Sequence, residues 1–341
     1  MVIYGHMAPL TGSQSPLFFG EAVSTIGVKI FFVLSGYLIT QSFLRDENFL
    51  RYYMRRIIRI IPGLVFVVLI TVFIIGPLIS TQSSAQYFTD PNTYRYLHNM
   101  FLKPVYTLPG VFVDNYAPYT VNGSLWTLPV EFLMYILVPF AVLFFRKIKF
   151  LKPGLAIVGI LLLVIEILRV NFFVDASFVV WGTNLFDCFV LSPYFFIGAF
   201  FSFPEFQKFI KTQVGFALLF ILAILTLNNY SQYEPILFLT LPYITLSFCF
   251  APQAICGRIF AVNDYSYGLY LWGYITQQVF ISIIGISAMP ILLYAFVCFT
   301  VAFLCAIASW HLVEKPCSRI AKKLILMSKK REQLKKCPDK S

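Results

Sequence analysis

Nine stretches of about 17–25 mostly apolar residues follow one another along this chain, and a bilayer core takes about 20 such residues per helix. They fall at 22–44, 60–79, 125–145, 153–170, 184–203, 214–230, 235–252, 265–285 and 289–313. Composition agrees. Of 341 residues, 59% are hydrophobic and only 12% charged, where a soluble domain carries about 25% charged residues. A soluble enzyme, a disordered chain and a disulfide scaffold are excluded as readings. The seven cysteines are odd in number, show no CxxC spacing and make no metal pattern with histidine, so they read as small hydrophobes. The expectation is an all-α integral membrane protein with no resident metal.

A further apolar stub, Met1 to Leu10, opens the chain. Ten residues cover about half a bilayer core. It lacks the charged start of a signal peptide, so the first helix reads as truncated, with the true start upstream. The stub brings the expected bundle to about ten transmembrane helices.

The formal charge of +11 is concentrated. Arg45, Arg51, Arg55, Arg56 and Arg59 fill one connection, and Arg146, Lys147, Lys149 and Lys152 the next alternate one. Lys208, Lys211 and Arg258 continue the alternation, and ten more cations lie from Lys315 onward. Together they make 22 of the 26. Only Arg95, Lys103 and Arg169 fall on the other side, with Lys29 inside a span. Positive charge marks cytoplasmic connections, so both termini read as cytoplasmic. Residues 1–314 form the transmembrane domain and 315–341 a basic cytoplasmic tail, which Leu324, Ile325 and Leu326 would lay along the membrane. The long polar segment 80–124 falls outside the membrane and is a candidate binding surface.

Ionisable groups inside spans are costly and mark candidate sites. His6 lies toward the outer half of the stub, and histidine is the side chain suited to moving a proton near neutral pH. Lys29 lines a wet cavity or pairs with an acid. Glu131 could orient a histidine, bind a sugar hydroxyl or pair with Lys29. Glu166 stands three residues from Arg169, the spacing of a local pair. Arg51, Arg55 and Arg59 form an i, i+4, i+8 helical stripe flanked by Arg56. Such a face suits either phosphate, which guanidinium binds bidentately, or anionic lipid. Ser35 lacks the G-x-S-x-G setting of a hydrolase nucleophile. Asn122-Gly-Ser124 matches a glycosylation sequon, a pattern common by chance.

Five blocks, in order, resemble the signature of the membrane acyltransferase-3 family. They are Gly27-Val-Lys-Ile-Phe-Phe-Val-Leu-Ser-Gly-Tyr-Leu-Ile39 with His6 upstream; Tyr53-Met-Arg55-Arg56-Ile-Ile-Arg59-Ile-Ile-Pro62; Ser124-Leu-Trp126-Thr-Leu-Pro-Val-Glu131-Phe-Leu-Met-Tyr135; Asp264-Tyr-Ser266-Tyr-Gly-Leu-Tyr270-Leu-Trp-Gly; and Glu314-Lys-Pro316. The resemblance implies a multi-pass O-acyltransferase of the bacterial inner membrane. It implies acetyl-coenzyme A as donor from the cytoplasm and a polysaccharide or lipid-linked glycan, such as lipopolysaccharide O-antigen, as acceptor. It casts His6 as base, with Glu131 orienting it or the acceptor, and Arg55, Arg56 and Arg59 as donor-binding residues. Trp126, Lys29, Ser35 and Tyr270 are candidates for substrate contact, although Ser35 and Ser266 also suit close helix packing. Two departures stand out. An arginine that the family often carries upstream of the histidine is missing, and Gly273 follows Trp272 where histidine is frequent; Gln277 and Gln278 fit a variant of that element. Direct transfer and a relay through acylated His6 both remain open. The rival reading, a transporter or flippase of lipid-linked sugars, would need internal repeats and matching broken helices, which the sequence does not show.

Overall fold

The computed structural model describes residues 1–168, 179–227, 234–251, 263–285 and 290–336. Arg169, Cys256, Arg258, Cys337 and Lys340 lie outside them. The apolar runs are helices. In chain order they are α1 (Val2–Leu10), α2 (Val23–Arg45), α3 (Phe49–Ile79), α4 (Gly123–Lys147), α5 (Leu151–Leu168), α6 (Leu185–Phe200), α7 (Thr212–Leu227), α8 (Glu234–Cys249), α9 (Ser266–Ile284) and α10 (Ile291–Ser309). A π-turn, Trp310–Glu314, carries α10 without a break into α11 (Lys315–Lys336). Two small hairpins are the sheet among the described residues: β1 (Leu17–Phe18) with β2 (Glu21–Ala22), and β3 (Val179–Val180) with β4 (Thr183–Asn184). Five helical segments are long and apolar enough to cross a membrane, and α6, α7 and α8 are shorter apolar helices. The protein is therefore an all-α multi-pass membrane protein.

Helix starts follow capping chemistry. Asn48 accepts the Arg51 amide at 3.0 Å and opens α3, and Asn184 does the same for α6 through Phe186. Side-chain oxygens at these positions satisfy amides that the helix leaves unpaired. The cap at Asn48 starts α3 at Phe49, ahead of the apolar run that begins at 60, so the expected helical arginine stripe is continuous with the span.

Close packing rests on small residues. A Cβ on Gly36 would run into the Phe195 carbonyl oxygen, and one on Gly198 into the Val33 carbonyl oxygen. The two glycines let α2 and α6 approach backbone to backbone. In α3 the ladder opens into a π-turn at Thr71–Ile75. There Tyr87 of the long connection donates its hydroxyl to the Val72 carbonyl at 3.0 Å, and Thr71 donates to Val67 at 2.7 Å. The opened ladder thus keeps its partners.

The long connection is held onto α9 by buried amides. Gln278 donates to the carbonyls of Ala117 and Thr120, and Asn122 to that of Leu271. Gln277 ties in the other neighbour by donating to the Ile3 carbonyl of α1 at 2.6 Å. Gly273 faces the same helix: a Cβ there would stand 2.8 Å from Ile3. The glycine that departs from the family pattern is thus where α1 and α9 come closest.

α11 packs on the start of α3. Ala321 and Ile325, one helical turn apart, are buried, while Leu324 and Leu326 are exposed. Glu332 pairs with Arg51 at 2.7 Å.

Candidate active site

Three sets of side chains make up the candidate site, on α3, α4 and α1. The first is at the end of the bundle that carries the arginines. Asp46, in the turn between α2 and α3, takes Arg51 through both carboxylate oxygens and Arg55 at 3.0 Å. These guanidiniums, Arg51 first, hold the Asp46 carboxyl well below the usual carboxylate range. Arg51 pairs with both Asp46 and Glu332. Arg59 donates to Asp264 at 2.6 Å, and Asp264 in turn accepts the Ser266 hydroxyl and amide that open α9. Arg56 is the least committed. Its one hydrogen bond among the described residues, to Ser42, is long at 3.4 Å, and its guanidinium lies 5.9 Å and 5.7 Å from the rings of Tyr52 and Tyr135. Nitrogens Nε and Nη2 of Arg55, Nε of Arg56 and Nη1 of Arg51 are buried without a hydrogen-bond partner among the described residues, although Nη1 of Arg51 stands 2.7 Å from the Glu332 carboxylate.

The second set is Glu131. Its carboxylate is buried and accepts the Tyr135 hydroxyl one turn along α4. Tyr52 of α3 donates to the Tyr135 carbonyl at 3.0 Å, and the Ser35 hydroxyl lies beside the Glu131–Tyr135 pair. Glu131 thus faces the arginines. Among the described residues it makes no hydrogen bond to His6.

The third is His6 itself. It is half-buried on α1, and its ring meets Tyr274 of α9 edge-on at 5.3 Å. A cavity of about 180 Å³ separates the stub helix from the arginine end. It is lined by Val2, Gly27, Phe31, Glu131, Ser266 and Tyr270, among others. Tyr270 donates to the Ser124 carbonyl at 2.7 Å and meets Thr127, which fixes its ring in the cavity wall. Trp126 is half-buried in the short turn that leads into α4.

Lys29 is elsewhere. It is fully buried, 2.5 Å from Glu234 of α8 and 3.6 Å from Glu21, with the Tyr194 ring 5.1 Å from its amine. Its partner is Glu234, 205 residues away, and not Glu131. Glu314 of the last motif is buried, accepts the Ser309 hydroxyl at 2.9 Å and packs toward Gly63 of α3. Tyr135, Tyr274 and Asp264 escaped the sequence reading as site residues. Tyr135 alone carried a signal, its i+4 spacing from Glu131.

Chemically, the arrangement offers guanidinium donors for an anion at one end. A buried carboxylate–phenol pair borders a mostly apolar cavity, and an imidazole lies on the helix at the cavity's far side.

An O-acetyl transferase of Shigella phage Sf6 is 30% identical over 322 residues, 92% of this chain and 91% of the phage protein. A peptidoglycan O-acetyltransferase, OatA, of Listeria monocytogenes is 27% identical over 73% of this chain, which spans 44% of that protein. Nodulation protein 10 of Rhizobium leguminosarum is 28% identical over 45% of the chain and 41% of its own length. No solved structure matches significantly. Residues 1–310 match the model described as an acyltransferase domain, and with the arginine, glutamate and histidine blocks all present in their order, the chain belongs to the membrane acyltransferase-3 family as an O-acetyltransferase.

Proposed function

We propose that this enzyme lies in the bacterial inner membrane and acetylates a sugar hydroxyl of a surface polysaccharide, lipopolysaccharide O-antigen being the first candidate. Acetyl-coenzyme A is the donor. It binds from the cytoplasm at the arginine end, which puts both termini on that side. The cavity carries the reading: it is lined by Val2, one turn before His6 on α1, and by Ser266, whose hydroxyl donates to the Asp264 that Arg59 holds, so an acyl thioester arm laid along it would run from the arginine end toward the stub helix. Arg55 and Arg56 hold the phosphates with the guanidinium nitrogens that no carboxylate has taken. Arg59 adds charge from the Asp264 side.

In the reaction the acceptor hydroxyl attacks the thioester carbonyl. The C–O bond forms, the C–S bond breaks, and the hydroxyl proton passes to His6 and on to the departing thiolate. Tyr274 braces the imidazole ring against rotation. Glu131 and Tyr135, on the arginine side of His6, position the arm rather than the base. The same residues serve a relay in which the acetyl group rests on His6 before the sugar takes it.

The test is mass spectrometry of the surface polysaccharide from cells carrying His6→Ala, with membrane insertion checked by blot. Loss of acetyl mass on an intact polymer is expected. Acetylation at the normal level would refute the assignment of the base, and loss of the whole polymer would favour a transporter.

A further inference from the structure

A second cavity, of about 240 Å³, opens at the end of the bundle away from the arginines, between the long connection and the last turn of α9. The reaction just described does not use it. Its walls are polar in a specific way. Asp114 presents a carboxylate, and Thr81 and Ser282 present hydroxyls. Asn115 spends its amide nitrogen on the backbone carbonyl and Oε1 of Gln278, at 3.0 and 2.8 Å. Oδ1 takes no part in either bond. Ile79, Phe112 and Ile281 supply apolar patches between these groups.

The walls are built rather than incidental. Gly110 has φ +66°, and a Cβ there would stand 2.6 Å from the Ser80 hydroxyl and 2.8 Å from that of Thr81. The Thr81 amide donates to the Gly110 carbonyl at 2.9 Å, and the Ser80 hydroxyl to that of Pro109 at 2.8 Å. Phe112 is buried at φ +54°, a conformation that costs a bulky residue energy and persists where the surroundings impose it.

The cavity is also tied to the catalytic helix. Met7, next to His6, and Leu10 pack in one cluster with Ile281, which lines the cavity. Along α9, Ile281 is seven residues past Tyr274, about 10 Å at the helical rise. Hydroxyl donors, a carboxylate, an amide oxygen and apolar patches together match a ring bearing vicinal hydroxyls on one face and C–H groups on the other. Asp114, with no cation among the described lining residues, disfavours a phosphate. The volume lies below the ~300–1,000 Å³ of sites for drug-sized ligands, which fits one ring rather than several.

We propose that this cavity is a subsite for one uncharged sugar ring of a polymeric acceptor, beside the ring that reacts at His6. The inference rests on the reading of the protein as a polysaccharide O-acetyltransferase. Its test uses the purified full-length enzyme in detergent, radiolabelled acetyl-coenzyme A and chemically deacetylated polysaccharide fragments. Asp114→Asn removes the carboxylate from an exposed position without loss of volume, and Ser282→Trp fills the cavity from the exposed face of α9. Each should raise the acceptor KM about tenfold, the scale of one lost charge-assisted hydrogen bond, with the donor KM within twofold of the parent. Acceptor KM values within twofold for both variants would overturn the subsite, as would a donor KM that rises in step. Failure of the parent enzyme to acetylate any glycan, while it still binds acetyl-coenzyme A, would instead overturn the underlying reading of the acceptor.

Discussion

Replacing Lys29 by methionine separates two roles that the sequence leaves open, substrate contact and structural pairing. The ammonium is fully buried between Glu234 and Glu21, whose side chains are 22% and 24% exposed. Lys29→Met leaves two carboxylates facing each other without their cation. Breaking a buried pair in this way costs about 3–5 kcal/mol. With an unfolding entropy of about 2.1 cal/mol/K per residue, that cost lowers the melting temperature of 341 residues by about 4–7 °C. Adding Glu234→Gln removes the charge that was stranded. A pair of similar shape without charge is often neutral relative to the original, so the double variant should recover most of the loss. The assay is thermal unfolding in detergent, run as a double-variant cycle. An unchanged melting temperature in Lys29→Met, or a double variant no better than the single, would refute the pairing argument. A normal melting temperature with a raised acceptor KM would return Lys29 to the substrate.

Three other outcomes follow from the same geometry. Arg56→Ala should raise the donor KM at least tenfold, and more than Arg51→Ala does, because Arg51 already pairs with Asp46 and Glu332; equal effects in a kinetic titration of acetyl-coenzyme A would contradict this. Gly198→Ala drives a methyl group into the Val33 carbonyl and should cost about 1–3 kcal/mol, read as lost thermal stability. Burial, with Glu234 alongside, pushes the Glu21 carboxyl up to about 7 against the pull of Lys29. The unfolded chain releases that proton near pH 4.3, so the folded state binds more protons between about 4.3 and 7. Stability should therefore fall as pH rises through that window, and Glu21→Gln should flatten the decline.

Helix positions were legible because burial in hydrocarbon leaves long apolar runs. The run 22–44 became Val23–Arg45, and 125–145 lies within Gly123–Lys147. The boundaries of α3 and α11 were not legible by that signal, since both carry dense charge. Helix formation there depends on a cap at Asn48 and on the burial of Ala321 and Ile325. The residue types of the site were legible from the motifs. Their partners were not, because Lys29 meets Glu234 and Arg59 meets Asp264 across 205 residues each. No periodicity within a helix carries that information. The histidine environment was also hidden: Tyr274 lies in a stretch whose pattern drew attention only to Gly273 and the two glutamines.

The few ions inside this bundle sort by how completely each is neutralised, and that sorting is itself an argument about role. Desolvating a charge costs several kcal/mol unless partners restore what water gave. Lys29 and Arg51 each face two carboxylates, so neither lacks counter-charge where it is. Arg55 and Arg56 recover it in part, from one oxygen each and, for Arg56, from two aromatic faces. Nitrogens remain buried and unpaired on both. A cation left in that condition gains more from an arriving phosphate than a cation already paired, since the phosphate displaces no carboxylate. The same reasoning separates Glu234 from Glu131. Glu234 is held by Lys29, whereas Glu131 faces a cavity with a phenol as its hydrogen-bond partner. The cations that share least with carboxylates, Arg55 and Arg56, are therefore better suited to an arriving anion than Lys29 or Arg51, which each face two.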